Sequence, residues 1–380
     1  MRLLIDASPI SLSKGKGFRR HVWGLLHALK ATQEEHQCCV LTRDPGRSVA
    51  RGVEGDPRFR FRHPRRYLPL LHSRRAGFLG KIFLTGFDLI HFPCSDIWYS
   101  DRGKKSIVTI HDLTPLHRPQ EFFHDSREES VYRSHLQEIA IRATAILTVS
   151  DSTRRDVMTH LKVSEKKVVA LHNAIDPMFL NSSHPFSKQE LLHLGLKAPY
   201  FLFVGAIDFR KNIPLLLKAF SIYRQQGGAS QLVVAGKETL RGRTSAPKLQ
   251  DILNQMREKD SVLWLQDVED QSLLKLYRGA RAFVFPSSLE GFGYPLVEAM
   301  ASEIPIVTTK DPCLSEIAGD GALLTDLQEE AFSSAMARID QDETLREDLK
   351  KRGRERLKMF LPKLYSQKLI RLYQSILNGN

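Results

Sequence analysis

The sequence predicts an α/β protein made of two Rossmann-like, doubly wound domains facing across a cleft. Three observations carry that prediction. The chain has 380 residues, more than one hydrophobic core usually organises, so two domains are expected. Short apolar runs of strand length alternate with stretches of helix length, the order that builds a parallel sheet. This alternation stops at a polar, proline-containing stretch over residues 173–199 and then begins again. The boundaries that follow are 1–175 for an N-terminal Rossmann-like domain, 176–360 for a C-terminal one, and 361–380 for a last helix packing back on the N-terminal domain.

In the first half, strands are expected over 3–6, 38–41, 89–92, 106–110, 145–149 and 168–171. Residues 11–17 read as a Gly/Lys/Ser loop. A helix is expected over 18–29, with Val22, Leu25, Leu26 and Leu29 on one face, and another over 152–161. The pattern restarts with a strand at Tyr200-Phe-Leu-Phe-Val-Gly205. Helices over 214–223, 248–257 and 270–279 then alternate with strands over 231–235, 261–265 and 282–285. After these come strands over 304–307 and 322–324, and helices from 329 to the end. Leu369, Leu372, Tyr373 and Ile376 make the last one amphipathic. Ligands in sheets of this kind bind beyond the carboxyl ends of the strands.

Composition narrows the class. A hydrophobic content of 42% is that of a globular protein. The four cysteines, Cys38, Cys39, Cys94 and Cys313, show no C-x-x-C spacing, which argues against a disulfide framework or a zinc site and for a reducing cytosol. The N-terminus carries no signal pattern, and no run of about 18 apolar residues occurs, so a cytoplasmic protein is expected, either soluble or peripheral at the inner face of a membrane. The net charge is +13, and residues 1–180 hold 29 Lys/Arg against 19 Asp/Glu. From Arg51 to Lys81 there are nine basic and two acidic side chains, interleaved with aromatic and leucine residues. Such a stretch suits a solvated face, an anionic membrane surface, an anionic acceptor or nucleic acid.

The most informative segment is Phe283-Val-Phe-Pro-Ser-Ser-Leu-Glu290-Gly-Phe-Gly-Tyr-Pro-Leu-Val-Glu298-Ala-Met-Ala-Ser302. It reads as strand, loop, helix, with Pro295 at the first helical position. Gly291 and Gly293 allow a tight turn and close approach of the backbone to a ligand. The helix N-terminus behind them offers free N–H donors and the positive end of a dipole. Two carboxylates, Glu290 and Glu298, frame this phosphate-type pocket. An ionised carboxylate only accepts hydrogen bonds, so hydroxyls of a ribose or sugar are their natural partners. Glu298 also favours the helix dipole, and the glycines also suit an ordinary loop.

Gly205-Ala-Ile-Asp-Phe-Arg210-Lys211-Asn212 lies between a strand and a helix, and its basic pair suits a diphosphate: Arg210 can bind bidentately and Lys211 as a point charge. Gly15-Lys16-Gly17 precedes the first long helix and offers a similar pocket. Neither glycine loop completes G-x-G-x-x-G with an acidic residue downstream, so a nicotinamide cofactor is not supported. His111, in His111-Asp112-Leu-Thr-Pro115, ends a strand and can donate to a sugar hydroxyl or a leaving phosphate.

These motifs occur in one order along nearly the whole chain. They include H-D-L-T-P (111–115), T-V-S-D-S-T (148–153), H-N-A-I-D (172–176), F-V-G-x-x-x-x-R-K-N (203–212), L-Y-R-x-A-x-A-F-V-F-P-S (276–287), E-G-F-G-Y-P-L-V-E-A-M-A (290–301) and E-I-A-G-D (316–320). The set resembles the family 4 retaining glycosyltransferases of GT-B fold, and among them mannosyltransferases of cell-surface glycan assembly. The resemblance implies a metal-independent transfer, with retention of configuration and no cofactor, of a hexose from GDP-mannose or a UDP-sugar to a glycan or lipid-linked acceptor. It makes His111, Glu290, Lys211 and Arg210 the catalytic set. Arg210 and Lys211 would hold the diphosphate and Glu298 the ribose, while Glu290 with the backbone from Gly291 through Phe292 and Gly293 to Tyr294 would hold the donor sugar. Leu296 and Val297 complete the substrate-binding stretch, and Gly15 to Gly17 would close over the phosphates.

The sequence departs from the family pattern at Ala206, where Arg is frequent, and at Gln266 and Glu303, where Gly is frequent. The last two bear on base preference. A GT-B sugar-nucleotide epimerase or hydrolase is the alternative in another enzyme class. A basic nucleic-acid-binding protein is a third, although no nucleic-acid-binding motif supports it.

Overall fold

Leu89–Phe92, Ser106–Ile110 and Ala145–Thr148 are strands buried at every position, as parallel strands covered on both faces must be. A computed structural model describes residues 1–7, 16–32, 35–42, 53, 55–62, 85–95, 103–180, 185–197, 199–239 and 248–379. The chain forms two units. One comprises Met1–Leu113, Asp125–Asp176 and Phe360–Asn380; the other comprises Thr114–His124 and Pro177–Met359.

In the first unit the strands are β1 (Arg2–Asp6), β2 (Gln37–Leu41), β3 (Phe59–Arg62), β4 (Leu89–Phe92), β5 (Ser106–Ile110), β6 (Ala145–Thr148) and β7 (Val168–Ala170). Among the described residues they form one sheet in the order β3-β2-β1-β4-β5-β6-β7, and each neighbouring pair is parallel. Leu3 faces Cys38 on one side and Leu89 on the other. The chain reverses its direction of growth between β1 and β4, which is where such sheets receive ligands.

Helix α1 (Lys16–Ala31) buries Val22, Leu25, Leu26 and Leu29, the expected face. It starts two residues earlier than its apolar pattern indicates, so Gly17 lies inside the first turn and not in the preceding loop. Gly15 lies outside the described residues. So does most of Arg51 to Lys81, of which residues 53 and 55–62 are described. The long helices α2 (Ser126–Arg142) and α3 (Asp151–Leu161) follow β5 and β6. Asp125 caps α2 by accepting from the N–H groups of Arg127 and Glu128, both at 2.9 Å. Ser150 caps α3 by accepting from Thr153 N–H at 3.0 Å; such caps are worth about 1 kcal/mol.

In the second unit β8 (Tyr200–Val204), β9 (Gln231–Ala235), β10 (Val262–Leu265), β11 (Ala282–Phe285), β12 (Ile306–Thr309) and β13 (Leu323–Thr325) pair in parallel in the order β10-β9-β8-β11-β12-β13. The reversal here falls between β8 and β11. Helices α4 (Ile213–Gln225), α5 (Asp270–Gly279) and α6 (Tyr294–Ala301) follow β8, β10 and β11. Strand β12 begins two residues later than expected. Pro305 cannot donate to a sheet ladder, but its carbonyl accepts from Phe283 N–H at 2.8 Å and leads the strand in. The ends of β8 and β9 approach so closely that a Cβ on Gly236 would overlap the carbonyl oxygen of Gly205.

The last helix, α7 (Pro362–Asn378), belongs to the first unit. Tyr365, Leu369, Tyr373 and Ile376 share one core with the apolar face of α1 and with β1 and β2. Burying a leucine there contributes about 1.5–3 kcal/mol. Ser366 Oγ donates to Ala28 O at 2.7 Å, and Lys105 Nζ donates to the carbonyls of Ile376 and Leu377 at 2.8 and 2.7 Å, placing a cation at the negative end of the helix.

Candidate active site

In the second unit both segments that flank the reversal between β8 and β11 carry the expected residues. After β8, Asp208 opens a short 3-10 turn, Phe209–Lys211, by accepting from Arg210 N–H at 3.1 Å. Its other oxygen accepts from Arg210 Nη2 at 2.8 Å. Arg210 and Lys211 are only 6% and 7% exposed, so their charges need partners. Arg210 has Asp208, and Lys211 Nζ is paired with Glu290 Oε1 from the loop after β11 while lying 4.6 Å from the centre of the Phe285 ring.

The two segments are also tied together through their backbones. Asn212, left-handed at φ 48°, donates from Nδ2 to Arg210 O at 3.1 Å and to Pro286 O at 3.0 Å. Ser288 N–H donates to Arg210 O at 2.9 Å. Ser287 Oγ lies 2.5 Å from Glu290 Oε1, and Thr309 Oγ1 at the end of β12 supports the turn by donating to Ser287 O at 2.7 Å.

Helix α6 starts at Tyr294, so Pro295 occupies its second position, where the fixed φ is still accommodated. Gly293 before it is left-handed at φ 81°, and a Cβ there would meet Leu314 Cδ2 at 2.8 Å; glycine is required on both counts. Phe292 and Tyr294 are buried and meet edge to face at 5.0 Å. Leu296 and Val297 have fully buried side chains. Glu298 is wholly buried, and Tyr277 OH on α5 donates to its Oε2 at 2.9 Å.

In the first unit His111 is half-buried after β5. Its Nε2 is 2.8 Å from the carbonyl of Pro93, a pure acceptor, so Nε2 carries the proton. The His111 ring meets that of His21 on α1 edge to face at 4.5 Å and that of Phe18 at 5.7 Å. His21 is buried, with Nδ1 2.7 Å from Asn173 Oδ1 of the H-N-A-I-D segment. Burial, and next the neighbouring His111, hold the His21 pKa well below the ordinary histidine value. His91 on β4 bonds Tyr373 OH at 2.7 Å and Thr109 Oγ1 at 2.9 Å, and burial, then His111, bring its pKa down to about 3. His21 and His91 are thereby held neutral.

Asp208, Ser287 and Tyr277 were not expected in the site. Asp208 stands two residues before the basic pair, and a carboxylate there is a legible counter-ion. The Tyr277–Glu298 and Lys211–Glu290 pairs, 21 and 79 residues apart, leave no spacing signal. Glu303, just beyond α6, is left-handed at φ 57°, which gives a backbone reason for glycine to be frequent at that position. Its carboxylate pairs with Arg354 at 2.9 Å on the surface.

A fold of two parallel Rossmann-like sheets, with buried cations and carboxylates at the switch point of one, defines the GT-B glycosyltransferase class. The model for Glycosyltransferase Family 4 matches residues 15–179 and that for Glycosyl transferases group 1 matches residues 187–356, so the chain carries both glycosyltransferase domains. It is 30% identical over 240 residues to the O-antigen chain mannosyltransferase RfbU of Salmonella typhimurium, covering 63% of this chain and 62% of that protein. It is 28% identical over 302 residues to the O-antigen chain mannosyltransferase B of Escherichia coli, covering 77% of this chain and 74% of that one. The solved structure of Anabaena Alr3699/HepE in complex with UDP and glucose aligns with a TM-score of 0.72 at 13% identity, over 99% of this chain and 100% of that one. Among the described residues no helix is long and apolar enough to cross a membrane.

Proposed function

We propose that this chain transfers a hexose from a nucleoside-diphosphate sugar to a glycan or lipid-linked acceptor with retention of configuration, GDP-mannose or a UDP-sugar being the donor. The observation that carries this reading is the pairing of two buried cations with one buried and one part-buried carboxylate where β8 and β11 diverge. A diphosphate competes with those carboxylates for Arg210 and Lys211. As it takes Lys211, Glu290 is released to accept hydrogen bonds from the donor sugar, beside the backbone from Gly291 to Tyr294. Glu298 accepts from the ribose. The names of the two mannosyltransferase relatives support a mannosyl donor, and UDP and glucose in the HepE structure support the wider nucleotide-sugar class.

In the reaction the bond from the anomeric carbon to the phosphate oxygen breaks while the acceptor oxygen bonds to the same face of that carbon. The acceptor's proton passes to the departing phosphate oxygen. Arg210 and Lys211 stabilise the charge that develops on the leaving diphosphate, the role for which pre-placed cations in a dry site are most effective. His111, whose Nε2–H is held by Pro93 O, is the residue of the first unit assigned to a sugar hydroxyl. The basic stretch Arg51 to Lys81 would bring the enzyme to an anionic membrane carrying a lipid-linked acceptor. Loss of vesicle co-sedimentation on changing Arg65, Arg66, Arg74 and Arg75 to Ser is the expected result.

The test is a panel of GDP- and UDP-sugars with the wild-type protein, Glu298→Ala and Lys211→Ala. Turnover of one donor in the presence of acceptor, lost in both variants, is expected. Failure to bind or turn over any of them would overturn the reading. Product formed equally without an acceptor would point to an epimerase or hydrolase.

A further inference from the structure

We infer that Tyr277 is a positioning residue that sets the preference of the site for a ribonucleotide. The inference rests on the proposed role of Glu298 as the ribose ligand and adds to it the group that makes a wholly buried carboxylate usable. Glu298 has 0% exposure, and a carboxylate so enclosed is stable as an anion only if the protein replaces the hydrogen bonds of water. Tyr277 OH does so at 2.9 Å on Oε2. The hydroxyl is a sound anchor because its ring cannot move: Tyr277 is itself 0% exposed, and its ring lies 5.9 Å from that of Phe179 and 5.5 Å from that of Phe283 on β11. Tyr277 sits on α5 and Glu298 on α6, the helices on either side of β11, so the bond fixes the carboxylate against the strand that leads into the donor loop.

Two effects follow. The phenol supplies one of the hydrogen bonds that a carboxylate accepts. It also fixes the carboxyl plane, so that Oε1 is presented in one orientation. A hydroxyl pair on a ribose would be read by that oxygen, and a nucleotide lacking both hydroxyls would lose the contact and leave the buried anion poorly matched, an arrangement that discriminates strongly.

The experiment measures calorimetric affinities of GDP and UDP against their 2′,3′-dideoxy counterparts for wild type, Tyr277→Phe and Glu298→Ala. Wild type is expected to favour one ribonucleotide over its dideoxy form. Tyr277→Phe is expected to lower that ratio by about tenfold, the loss typical of a hydrogen bond to a charged group, towards the value for Glu298→Ala, while dideoxynucleotide affinity stays unchanged. A tyrosine with only a packing role would weaken both nucleotides equally and leave the ratio intact, and that result would overturn the inference. If Glu298→Ala also leaves the ratio unaltered, the ribose assignment itself fails. Should Tyr277→Phe not fold, the double variant Tyr277→Phe/Glu298→Gln, which contains no buried anion, is compared with Glu298→Gln alone. A lower ratio in the double variant supports the positioning role, and equal ratios refute it.

Discussion

The two units place polar side chains near the carboxyl ends of similar parallel sheets but keep them stable in opposite ways. In the second, charge is matched with charge: Arg210 with Asp208 and Lys211 with Glu290, all nearly inaccessible to water. In the first, two buried imidazoles carry no charge: His21 and His91 stay neutral, each bonded to an uncharged partner, Asn173 for one and Tyr373 and Thr109 for the other. Matched pairs suit a site that must receive a charged ligand, because an incoming diphosphate can exchange for a carboxylate without creating a bare cation. Neutral imidazoles suit a site that handles hydroxyls, where a fixed donor and acceptor matter more than net charge.

The comparison is most sharply tested by removing one half of a pair. Lys211→Ala leaves Glu290 buried beside Ser287 without its cation, and about 3–5 kcal/mol of stability is expected to go with it. Turnover should fall by roughly 10²–10³-fold. Urea titration and steady-state kinetics read these separately, and a variant as stable as wild type would mean that the charges of this unit are not compensated pairwise.

The second test uses acid. The native pKa of His91, about 3, is depressed from an unfolded value near 6.5, so below about pH 6.5 the unfolded chain binds a proton that the folded one refuses. The stability due to keeping His91 neutral is present above that pH and is lost as pH falls towards 3. Its slope approaches ~1.4 kcal/mol per pH unit. His91→Gln should flatten that slope in denaturation midpoints measured between pH 7 and pH 4. An unchanged slope would show that the imidazole is protonated in the folded protein.

The smallest expected effect lies outside either set of buried groups. Glu303→Gly relieves a left-handed non-glycine residue, worth about 1 kcal/mol, against the loss of an exposed ion pair worth little. A rise of a few degrees in the melting temperature is expected, and a fall would assign the Glu303–Arg354 pair more weight than exposed pairs usually have.

Much of this was legible in the residues themselves. The strand over 282–285, the glycine turn and the start of the helix at 294 follow from a short apolar run, two glycines and a proline in sequence, all local signals. Strand β3 is hard to read although Phe59-Arg-Phe-Arg62 alternates with period two, because four residues, two of them charged, make only a weak strand signal. Helix α2 was missed because only Leu136, Ile139 and Ala140 are buried in its 17 residues, too few to write an apolar stripe. The pairing of Tyr277 with Glu298 is illegible for a different reason. It depends on how two helices turn against one strand, and sequence distance carries no information about that.

The closing helix α7 bears on how the protein is made. The core under α1 is incomplete without Tyr365, Leu369, Tyr373 and Ile376, which are synthesised after the whole of the second unit. Domains usually fold in the order of their synthesis, yet here the first unit must wait for the segment from Phe360 onward, while the unit ending at Met359 is already whole. Of the two sheets, the one made first is thus finished second, and its apolar face stays in need of protection until α7 has been made.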